Sequence, residues 1–384
     1  MTAITHSSVS AAPAVQRRYR VLICDDQADV LHAMKLLLKG QGYEAVTVDS
    51  PRALLRQARS GDFDMILADL NYTRDTTSGE EGLDLLDGLE SQGNKAPVIV
   101  MTAWGSIDLA VEAMRRGACD FIQKPWDNER VLAAIRKQAD SERRRRSEME
   151  IAAMVQQKLF PPSAPLLETV DFAGQCVAAQ AVGGDYYDFL NLGASTVGFV
   201  LADVSGKGVP AALLMANLQA CFRTQAASGI HSPIKLLETV HQQFYSSTGS
   251  DRFATLFFGA YDDRRRRLRY INCGHCAPLL LRAGGELHRL EPTAAMLGAF
   301  EKWTGAEQEV IIHAGDTLLL YSDGVTEAAR FGGDEFGEDR LLHVLREHGS
   351  LTADDLVREI LTAVSAFSGA SRIDDVTVVA IRGV

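Results

Sequence analysis

The pattern of apolar and polar positions divides the chain into three parts. From residue 20 to about residue 124, short apolar runs alternate with amphipathic segments. The apolar runs predict buried strands at 21–24, 45–48, 65–68, 98–101 and 119–122. The amphipathic segments predict helices at 29–39, 51–58, 83–89 and 107–116. Strands that alternate with helices are typical of a parallel sheet covered on both faces, so this part is predicted to be a doubly wound α/β domain.

The middle part reads as one long helix over residues 126–160, which Pro161-Pro162 ends. Steps of three and four residues along it trace a heptad-like seam at 131, 135, 138, 142, 145, 149, 152, 156 and 159. The seam is apolar at its ends and polar in its centre, where the basic run 143–146 is interpreted as a solvated helix face. This pattern predicts a signalling helix that dimerises through a weak-centred coiled coil.

Beyond residue 170 strand-like runs dominate the sequence. They predict strands at 172–180, 196–202, 253–261, 268–273, 278–281, 309–313, 317–321 and 376–381. Helices are predicted at 210–226, 233–246 and 352–367. Many strands with a few helices are typical of packed antiparallel sheets flanked by helices, which makes this part an α+β β-sandwich.

Composition and charge narrow the functional classes. A chain of 384 residues has room for two or three domains. Its net charge of −11 argues against nonspecific nucleic-acid binding, and the sequence contains no helix-turn-helix pattern. No apolar stretch reaches the roughly 18 residues of a membrane span. The chain is therefore expected to bind neither nucleic acid nor membrane.

The N-terminus and the cysteines indicate the cellular compartment in which the protein is expected to work. Residues 1–16 lack the basic start and apolar core of a signal peptide, so we expect a disordered N-terminus over 1–17. Six scattered cysteines suit a reducing cytoplasm. Cys273 and Cys276 form a single CxxC pair, which lacks the second ligand pair of a structural zinc site, and we interpret it as a turn.

Polar residues stand at the predicted carboxyl ends of the strands in the first part. They are Asp25, Asp26, Asp69, Thr102 and Lys124. Ligands of parallel sheets bind at these strand ends. Three crowded carboxylates repel one another unless a cation lies between them.

Over roughly residues 18–130 this arrangement resembles a response-regulator receiver domain. The resemblance implies that Asp25 and Asp26 hold Mg²⁺, that Asp69 accepts a phosphoryl group from a histidine kinase, and that Thr102 and Lys124 bind its oxygens. It also implies that Phe121 is the aromatic switch residue and that the Lys124-Pro125 bond is cis. The loop 71–81 is longer and more polar than is usual in such domains.

Four short aspartate motifs mark the last part of the chain. They are Gly183-Gly184-Asp185-Tyr186-Tyr187-Asp188, Asp203-Val204-Ser205-Gly206-Lys207-Gly208, Ser322-Asp323-Gly324-Val325-Thr326-Glu327 and Ile373-Asp374-Asp375-Val376-Thr377. Each places a carboxylate beside a glycine or at the edge of an apolar run. Converging carboxylates without His or Cys describe a site for a hard cation such as Mg²⁺ or Mn²⁺.

These motifs, in this order, resemble the PPM family of metal-dependent serine/threonine phosphatases in its SpoIIE-like branch, from about residue 151 to the end. The resemblance implies two Mn²⁺ or Mg²⁺ ions held by Asp203, the Val204 carbonyl, Asp323, Asp374 and Asp185. Asp375 is a further candidate ligand, and the sequence leaves the roles of Asp374 and Asp375 open.

Two neighbouring residues are ambiguous. Asp188 is interpreted as a capping or supporting residue rather than a ligand. Lys207 has two open interpretations, a phosphate-attracting group or a solvated turn lysine.

Together the parts predict a disordered N-terminus (1–17), a flavodoxin-like receiver (18–126), a helical linker (127–162) and a PPM-type phosphatase domain (163–384). The resemblance implies a phosphorylated protein substrate, a STAS-type anti-sigma-factor antagonist. The alternative is a non-catalytic adaptor that uses the phosphatase fold to bind a partner. The Gly-Gly-Asp-Glu-Phe string at 332–336 lies inside the phosphatase match and is interpreted as coincidence rather than a cyclase motif.

Overall fold

A computed structural model shows two compact units, one ending at Ser147 and the other running from Glu148 to Val384. The structure describes residues 18–72, 80–102, 107–162, 166–193, 195–228, 232–249, 252–330, 333–369 and 374–384. The N-terminal segment 1–17 and most of the loop 71–81 lie outside these residues. No helix within the described ranges is both long and apolar enough to cross a bilayer.

The first unit contains a five-stranded parallel sheet in the order β2-β1-β3-β4-β5. The strands are β1 (Arg20–Cys24), β2 (Glu44–Val48), β3 (Met65–Asp69), β4 (Val98–Thr102) and β5 (Ala118–Gln123). The helices are α1 (Ala28–Gly40), α2 (Pro51–Ser60), α3 (Glu80–Ser91) and α4 (Ile107–Arg115). This strand order is that of the flavodoxin-like fold, so the predicted fold of the first part is confirmed.

The continuous apolar runs explain why this sheet is buried on both faces. Strands β3 and β4 are buried along their whole length. Leu22, Ile66 and Val100 face one apolar cluster, while Val21, Met65 and Ile99 face the other. Alternate residues of each strand point to opposite faces, so both faces need apolar side chains.

The long helix α5 (Asn128–Gln157) begins in the first unit and ends in the second. Its first turns pack Val131 and Ile135 into the core of the first unit. Near its other end, Gln156 is buried inside the second unit. These three positions belong to the predicted seam. The side chains at the two ends of the seam therefore pack within their own chain. The helix stops four residues before Pro161.

The second unit is a sandwich of two five-stranded sheets, ordered β13-β10-β9-β8-β7 and β12-β11-β14-β15-β6. Its strands are β6 (Val170–Val177), β7 (Tyr186–Gly193), β8 (Thr196–Val204), β9 (Ala254–Asp262), β10 (Arg267–Cys273), β11 (Leu279–Leu281), β12 (Leu287–Arg289), β13 (Gln308–Ile311), β14 (Thr317–Tyr321) and β15 (Val376–Gly383). All the pairings given for these strands are antiparallel. The predicted α+β sandwich is therefore confirmed.

Helices cover the outer face of each sheet. They are α6 (Gly208–Ala227), α7 (Pro233–Ser247), α8 (Asp323–Thr326), α9 (Gly337–His348) and α10 (Ala353–Ser368). Helices α6 and α7 pack on the sheet that contains β8, and α9 and α10 pack on the sheet that contains β14. A third apolar layer, with Phe199 and Leu320 among its members, lies between the sheets.

Four elements of this unit were not predicted. Strand β7 and helix α8 coincide with two of the aspartate motifs, whose polar and glycine residues mask the pattern of a regular element. Strand β12 has only three residues, and α9 follows directly after a glycine-rich stretch. Phe336, the last residue of the Gly-Gly-Asp-Glu-Phe string, is buried in the apolar cluster that α9 and α10 share, while Asp334 and Glu335 before it are exposed.

Candidate functional site

The sheet of the first unit brings its polar strand-end residues to one edge. Asp25 follows β1, Asp69 ends β3, Thr102 ends β4 and Lys124 follows β5. Asp25, Asp69 and Thr102 are almost fully buried. Parallel strands that end at one edge place these side chains together, as the sequence predicts.

Lys124 holds the two buried carboxylates. Its Nζ donates to Asp25 Oδ2 and to Asp69 Oδ2, both at 2.7 Å. Burial raises the pKa of Asp69, although the hydrogen bond from Lys124 opposes that shift. Burial lowers the pKa of Lys124, but its hydrogen bonds to Asp25 and Asp69 outweigh it and the net shift is upward. The lysine therefore stays charged and neutralises part of the acidic cluster.

The same cluster has a geometry that suits a cation. One oxygen each from Asp25, Asp26 and Asp69 lies within 4.8 Å of the others. Oxygen-only donors at this spacing suit Mg²⁺, which prefers carboxylates and water. The receiver residues therefore fit the ion that the sequence predicts.

Three further details of this unit concern the predicted switch. Thr102 is buried beside the cluster, whereas Phe121 on β5 leaves 39% of its surface exposed. The Lys124-Pro125 bond is cis, as predicted. Tyr72, which the sequence did not single out, is buried after Asp69, and its hydroxyl donates to Cys24 Sγ at 3.1 Å.

In the second unit, four strand ends supply the predicted acidic residues. Asp185 directly precedes β7, Asp203 lies near the end of β8, Asp323 begins α8 just after β14, and Asp374 precedes β15. Burial and the charges of Asp323 and Asp374 raise the pKa of Asp203 to about 7. Burial and the nearby carboxylate of Asp374 also raise the pKa of Asp323. These mutual effects show that the carboxylates from separate strands converge.

Asp185 lies at the buried side of this cluster. Burial and the charge of Asp203 hold the pKa of Asp185 well above its usual range. The Thr377 hydroxyl donates to Asp185 Oδ2 at 2.5 Å, and the Thr377 backbone N–H donates to Ser322 Oγ. Thr377 thus orients the carboxylate, and Ser322 holds Thr377 in place. Both residues stand in the quoted motifs, but the sequence assigned them no role because Ser and Thr are common in strands.

The structure separates the positions of Asp374 and Asp375. The Asp375 carboxylate turns inward and accepts backbone N–H groups from Ala179 at 2.8 Å, Gly184 at 2.8 Å and Asp185 at 3.4 Å. Asp374 is partly exposed, and its Oδ2 accepts from Lys207 Nζ at 2.7 Å. Asp375 therefore shapes the loop that carries Asp185, while Asp374 faces the side where Lys207 lies.

Glycines in the motifs make these close approaches possible. A methyl group on Gly183 would collide with the Asp375 carboxylate. A methyl group on Gly324 would collide with the Asp375 carbonyl oxygen. The motifs therefore need glycine at these positions because backbone and carboxylate pass close to each other.

Asp188 has different hydrogen-bond partners from the other carboxylates of the second unit. Arg223 Nε donates to Asp188 Oδ2 at 2.8 Å, and the Tyr186 hydroxyl donates to the same oxygen at 2.7 Å. Since both partners are hydrogen-bond donors, Asp188 is a supporting residue in this structure, in line with its interpretation from the sequence. Arg223 lies on α6, 35 residues away in the chain, so local sequence could not reveal this pairing.

The Cys-Gly-His-Cys segment separates its two thiols. Cys273 packs on the α6 side of its sheet, whereas Cys276 packs on the α9 and α10 side of the other sheet. Both thiols are free. His275 between them is buried, and its Nδ1 lies 2.8 Å from Thr255 Oγ1. The segment is therefore a turn that packs beside the acidic cluster.

Donor chemistry decides which ions the second cluster could hold. Asp185, Asp203, Asp323 and Asp374 offer only oxygen atoms, and the Val204 carbonyl adds another. Such a set fits Mn²⁺ or Mg²⁺ and does not fit a soft metal. Among the described residues, only the receiver trio brings three carboxylate oxygens within 4.8 Å of one another. The carboxylates of the second unit thus stand farther apart than those of the first unit.

Comparisons with known proteins match the two parts of the chain to two different families. Residues 21–136 match the family described as response regulator receiver domain. Residues 193–383 match the family described as Stage II sporulation protein E (SpoIIE). The chain is 29% identical over 238 residues to phosphoserine phosphatase RsbU of Bacillus subtilis, and the match covers 62% of this chain and 70% of RsbU.

Solved structures resemble the second unit. The RsbU and RsbW domains of Rv1364c from Mycobacterium tuberculosis match with a TM-score of 0.50 and 28% identity, over 59% of this chain and 63% of that one. The SiaA-PP2C domain of Pseudomonas aeruginosa matches with a TM-score of 0.55 and 21% identity, over 64% and 98%. The second likeness concerns the fold alone.

Proposed function

Because the chain combines a response-regulator receiver domain with a SpoIIE-type phosphatase domain of the PPM family, we propose that phosphorylation of Asp69 controls metal-dependent hydrolysis of phosphoproteins. The observation that carries this proposal is the convergence of acidic residues from four strand ends. Burial and neighbouring carboxylates raise the pKa of three of them, Asp185, Asp203 and Asp323. Carboxyl groups crowded in this way stay ionised only when cations lie among them, so the cluster is suited to metal-assisted chemistry.

In this proposal Asp185, Asp203, Asp323 and Asp374 hold two Mn²⁺ or Mg²⁺ ions, with the Val204 carbonyl as a further donor. Two such ions supply an activated water and neutralise charge on the phosphoryl oxygens. Asp375 fixes the loop of Asp185 through three backbone N–H groups. Lys207, next to Asp374, adds a positive charge at the exposed side, where it can attract a phosphate.

The proposed substrate is a phosphoserine or phosphothreonine protein. RsbU, which the chain resembles, is named as a phosphoserine phosphatase. By that resemblance the substrate belongs to the STAS-type anti-sigma-factor antagonists, and the enzyme works in a partner-switching pathway.

The proposed input is a histidine kinase in the cytoplasm. Asp69 receives the phosphoryl group while Mg²⁺ is held by Asp25, Asp26 and Asp69. Lys124, which already lies 2.7 Å from Asp69 Oδ2, balances the added charge. Thr102 then moves toward the phosphoryl group, and the face that carries Phe121 responds.

We assign residues 18–126 to the receiver, 127–162 to the helical linker and 163–384 to the phosphatase domain. The linker transmits the signal in a homodimer. Exposed apolar side chains on the last turns of α5 support this part of the proposal, since Ile151, Met154 and Val155 each leave more than half of their surface exposed. They recur at the three- and four-residue spacing of one helix face.

The test measures Mn²⁺-dependent release of phosphate from p-nitrophenyl phosphate and from a phosphoserine peptide. Wild type is compared with Asp203→Ala and Asp69→Ala, with and without acetyl phosphate. Asp84→Ala, which changes an exposed aspartate on α3, is the matched control for the receiver. We expect Asp203→Ala to abolish activity, and the response to acetyl phosphate to persist in Asp84→Ala and disappear in Asp69→Ala.

Two results would contradict the proposal. Folded wild-type protein without metal-dependent activity, with or without acetyl phosphate, would favour the non-catalytic adaptor. Equal activity of wild type and Asp69→Ala under all conditions would leave a phosphatase that the receiver does not control.

A further inference from the structure

A surface pocket of about 460 Å³ opens at one end of the sheet that contains β14. It lies between the end of β11, the start of β14, the end of β15 and the turn after α9. Pockets that bind small organic molecules have volumes of about 300–1,000 Å³, so this one is large enough for such a ligand. The acidic cluster lies at the opposite end of β14 and β15. Since Arg382 is six residues along β15 from Val376, at about 3.3 Å per residue, the two sites are on the order of 20 Å apart.

Three arginines from three separate elements line this pocket. They are Arg282 after β11, Arg346 in the last turn of α9 and Arg382 on β15. No aspartate or glutamate stands among the described residues that line it. The pocket is therefore basic, although the chain as a whole carries a net charge of −11. Arginines are the residues best suited to bind phosphate and carboxylate groups, because the planar guanidinium offers paired N–H donors.

The sandwich holds Arg282 in a fixed position. Its Nη1 donates to Asp316 Oδ2 at 2.7 Å and to the Ile311 carbonyl at 2.7 Å. Asp316 is buried and also accepts from the backbone N–H groups of His313 and Ala283. This network orients Arg282, and the carboxylate of Asp316 balances its charge.

The charges of Arg346 and Arg382 are not balanced in this way. The Arg346 side chain is exposed, and within the described part of the chain it takes part in no ion pair or hydrogen bond. Arg382 Nη1 donates to the Leu351 carbonyl at 3.1 Å, while its buried Nε has no partner among the described residues. Asp171, which lies opposite Arg382 on β6, accepts from the Ala353 backbone N–H and forms no ion pair with Arg382. Both guanidinium groups therefore keep N–H donors that the fold does not use.

We propose that the pocket lined by Arg282, Arg346 and Arg382, here called the arginine pocket, binds a small molecule that carries a phosphate group. A phosphate monoester has a charge of about −1.5 to −2 at pH 7, which matches the charges of Arg346 and Arg382. Ser350 also lines the pocket and adds a hydroxyl donor, while Leu281 provides apolar surface for an organic group. The inference goes beyond the proposed function, because the pocket shares no residue with the acidic cluster.

Binding is measured by calorimetric titration of the full-length chain in EDTA, with inorganic phosphate, AMP and adenosine as probes. EDTA removes the cations through which the two acidic clusters could bind phosphate. Arg346→Gln and Arg346→Glu are the test variants, because Arg346 is exposed and its replacement leaves the network of Arg282 intact. Arg358→Gln is the matched control, since Arg358 is exposed on α10 and lies outside the pocket.

We expect wild type to bind phosphate and AMP, and to bind adenosine at least about tenfold more weakly than AMP. Loss of a hydrogen bond to a charged group weakens binding about tenfold or more, so Arg346→Gln should have this effect, and Arg346→Glu a larger one. Arg358→Gln should match wild type within about twofold. Tighter binding of AMP than of phosphate would identify an organic phosphate ester as the ligand, and equal binding would identify the free phosphate ion; either result supports the proposal.

Three results would overturn the inference. Wild type that binds neither phosphate nor AMP would show that the arginine pocket is not a binding site. Equal affinity for AMP in wild type and in both Arg346 variants would place the binding elsewhere on the chain. Adenosine that binds as tightly as AMP would exclude recognition of the phosphate group. The metal-dependent assay tests the proposed function separately, so these results leave that function intact.

Discussion

Replacing Asp375 and Asp374 separately tests whether these adjacent carboxylates have different roles. Asp375 is nearly buried and accepts three backbone N–H groups from the segment 179–185. Asp374 has a side chain that is 37% exposed, and its partner Lys207 is 49% exposed. We therefore expect Asp375→Ala to destabilise the phosphatase fold, and Asp374→Ala to affect metal binding with little change in stability.

The magnitudes follow from these contacts. A hydrogen bond to a charged acceptor contributes about 1.5–3 kcal/mol, so the two bonds of 2.8 Å predict a loss of about 3–6 kcal/mol in Asp375→Ala. An exposed ion pair contributes about 0–1 kcal/mol, which is the loss expected for Asp374→Ala. For a unit the size of Glu148–Val384, 1 kcal/mol shifts the melting temperature by roughly 2–4 °C. Asp375→Ala should therefore lower it by roughly 6 °C or more.

Differential scanning calorimetry of the full chain in EDTA measures both variants. The transition of the first unit provides an internal control, because neither substitution lies in it. A parallel Mn²⁺ titration measures metal binding. A melting temperature of Asp375→Ala equal to that of wild type, together with loss of Mn²⁺ binding, would refute the reasoning and make Asp375 a metal ligand.

Three further predictions concern titration and charge. Burial lowers the pKa of His275 from 6.5 to about 4, so the neutral ring stabilises the fold above pH 6.5 and this contribution is lost as pH falls toward 4. Thermal unfolding at a series of pH values should show the free energy of unfolding of wild type falling by about 3 kcal/mol more than that of His275→Gln between pH 6.5 and pH 4. Equal falls in the two proteins would contradict this. Because burial and neighbouring carboxylates raise the pKa of Asp203 to about 7, protons compete with metal, and Mn²⁺ affinity should fall about tenfold between pH 7 and pH 6 in calorimetric titration. Lys124→Met leaves Asp25 and Asp69 buried without their cation, so the receiver should lose roughly 3 kcal/mol without Mg²⁺ and regain part of it on Mg²⁺ addition; an unchanged receiver transition in calorimetry would contradict the assigned ion pair.

Sequence patterns predicted regular elements well where apolar residues recur at a fixed period. The five receiver strands differ from their predicted bounds by one or two residues, because each is a short apolar run bounded by polar residues. The pattern failed at β7, whose first residues belong to an aspartate motif. The seam along α5 was ambiguous, because an apolar seam position looks the same in the sequence whether it packs fully on its own chain, as Val131 does, or stays partly exposed, as Met149 does.

The sequence by itself determined the order of the elements, the two domain families and the carboxylates that gather at each site, because these depend on local periodicity and on motifs of contiguous residues. Only the tertiary structure separated Asp375 from Asp374, paired Arg223 with Asp188 and placed Gln156 against Gly183. These contacts join residues that are far apart in the chain, and their partners are determined by how sheets and helices pack. Since a side chain's role follows from what it touches, adjacent aspartates with the same chemistry can differ in function.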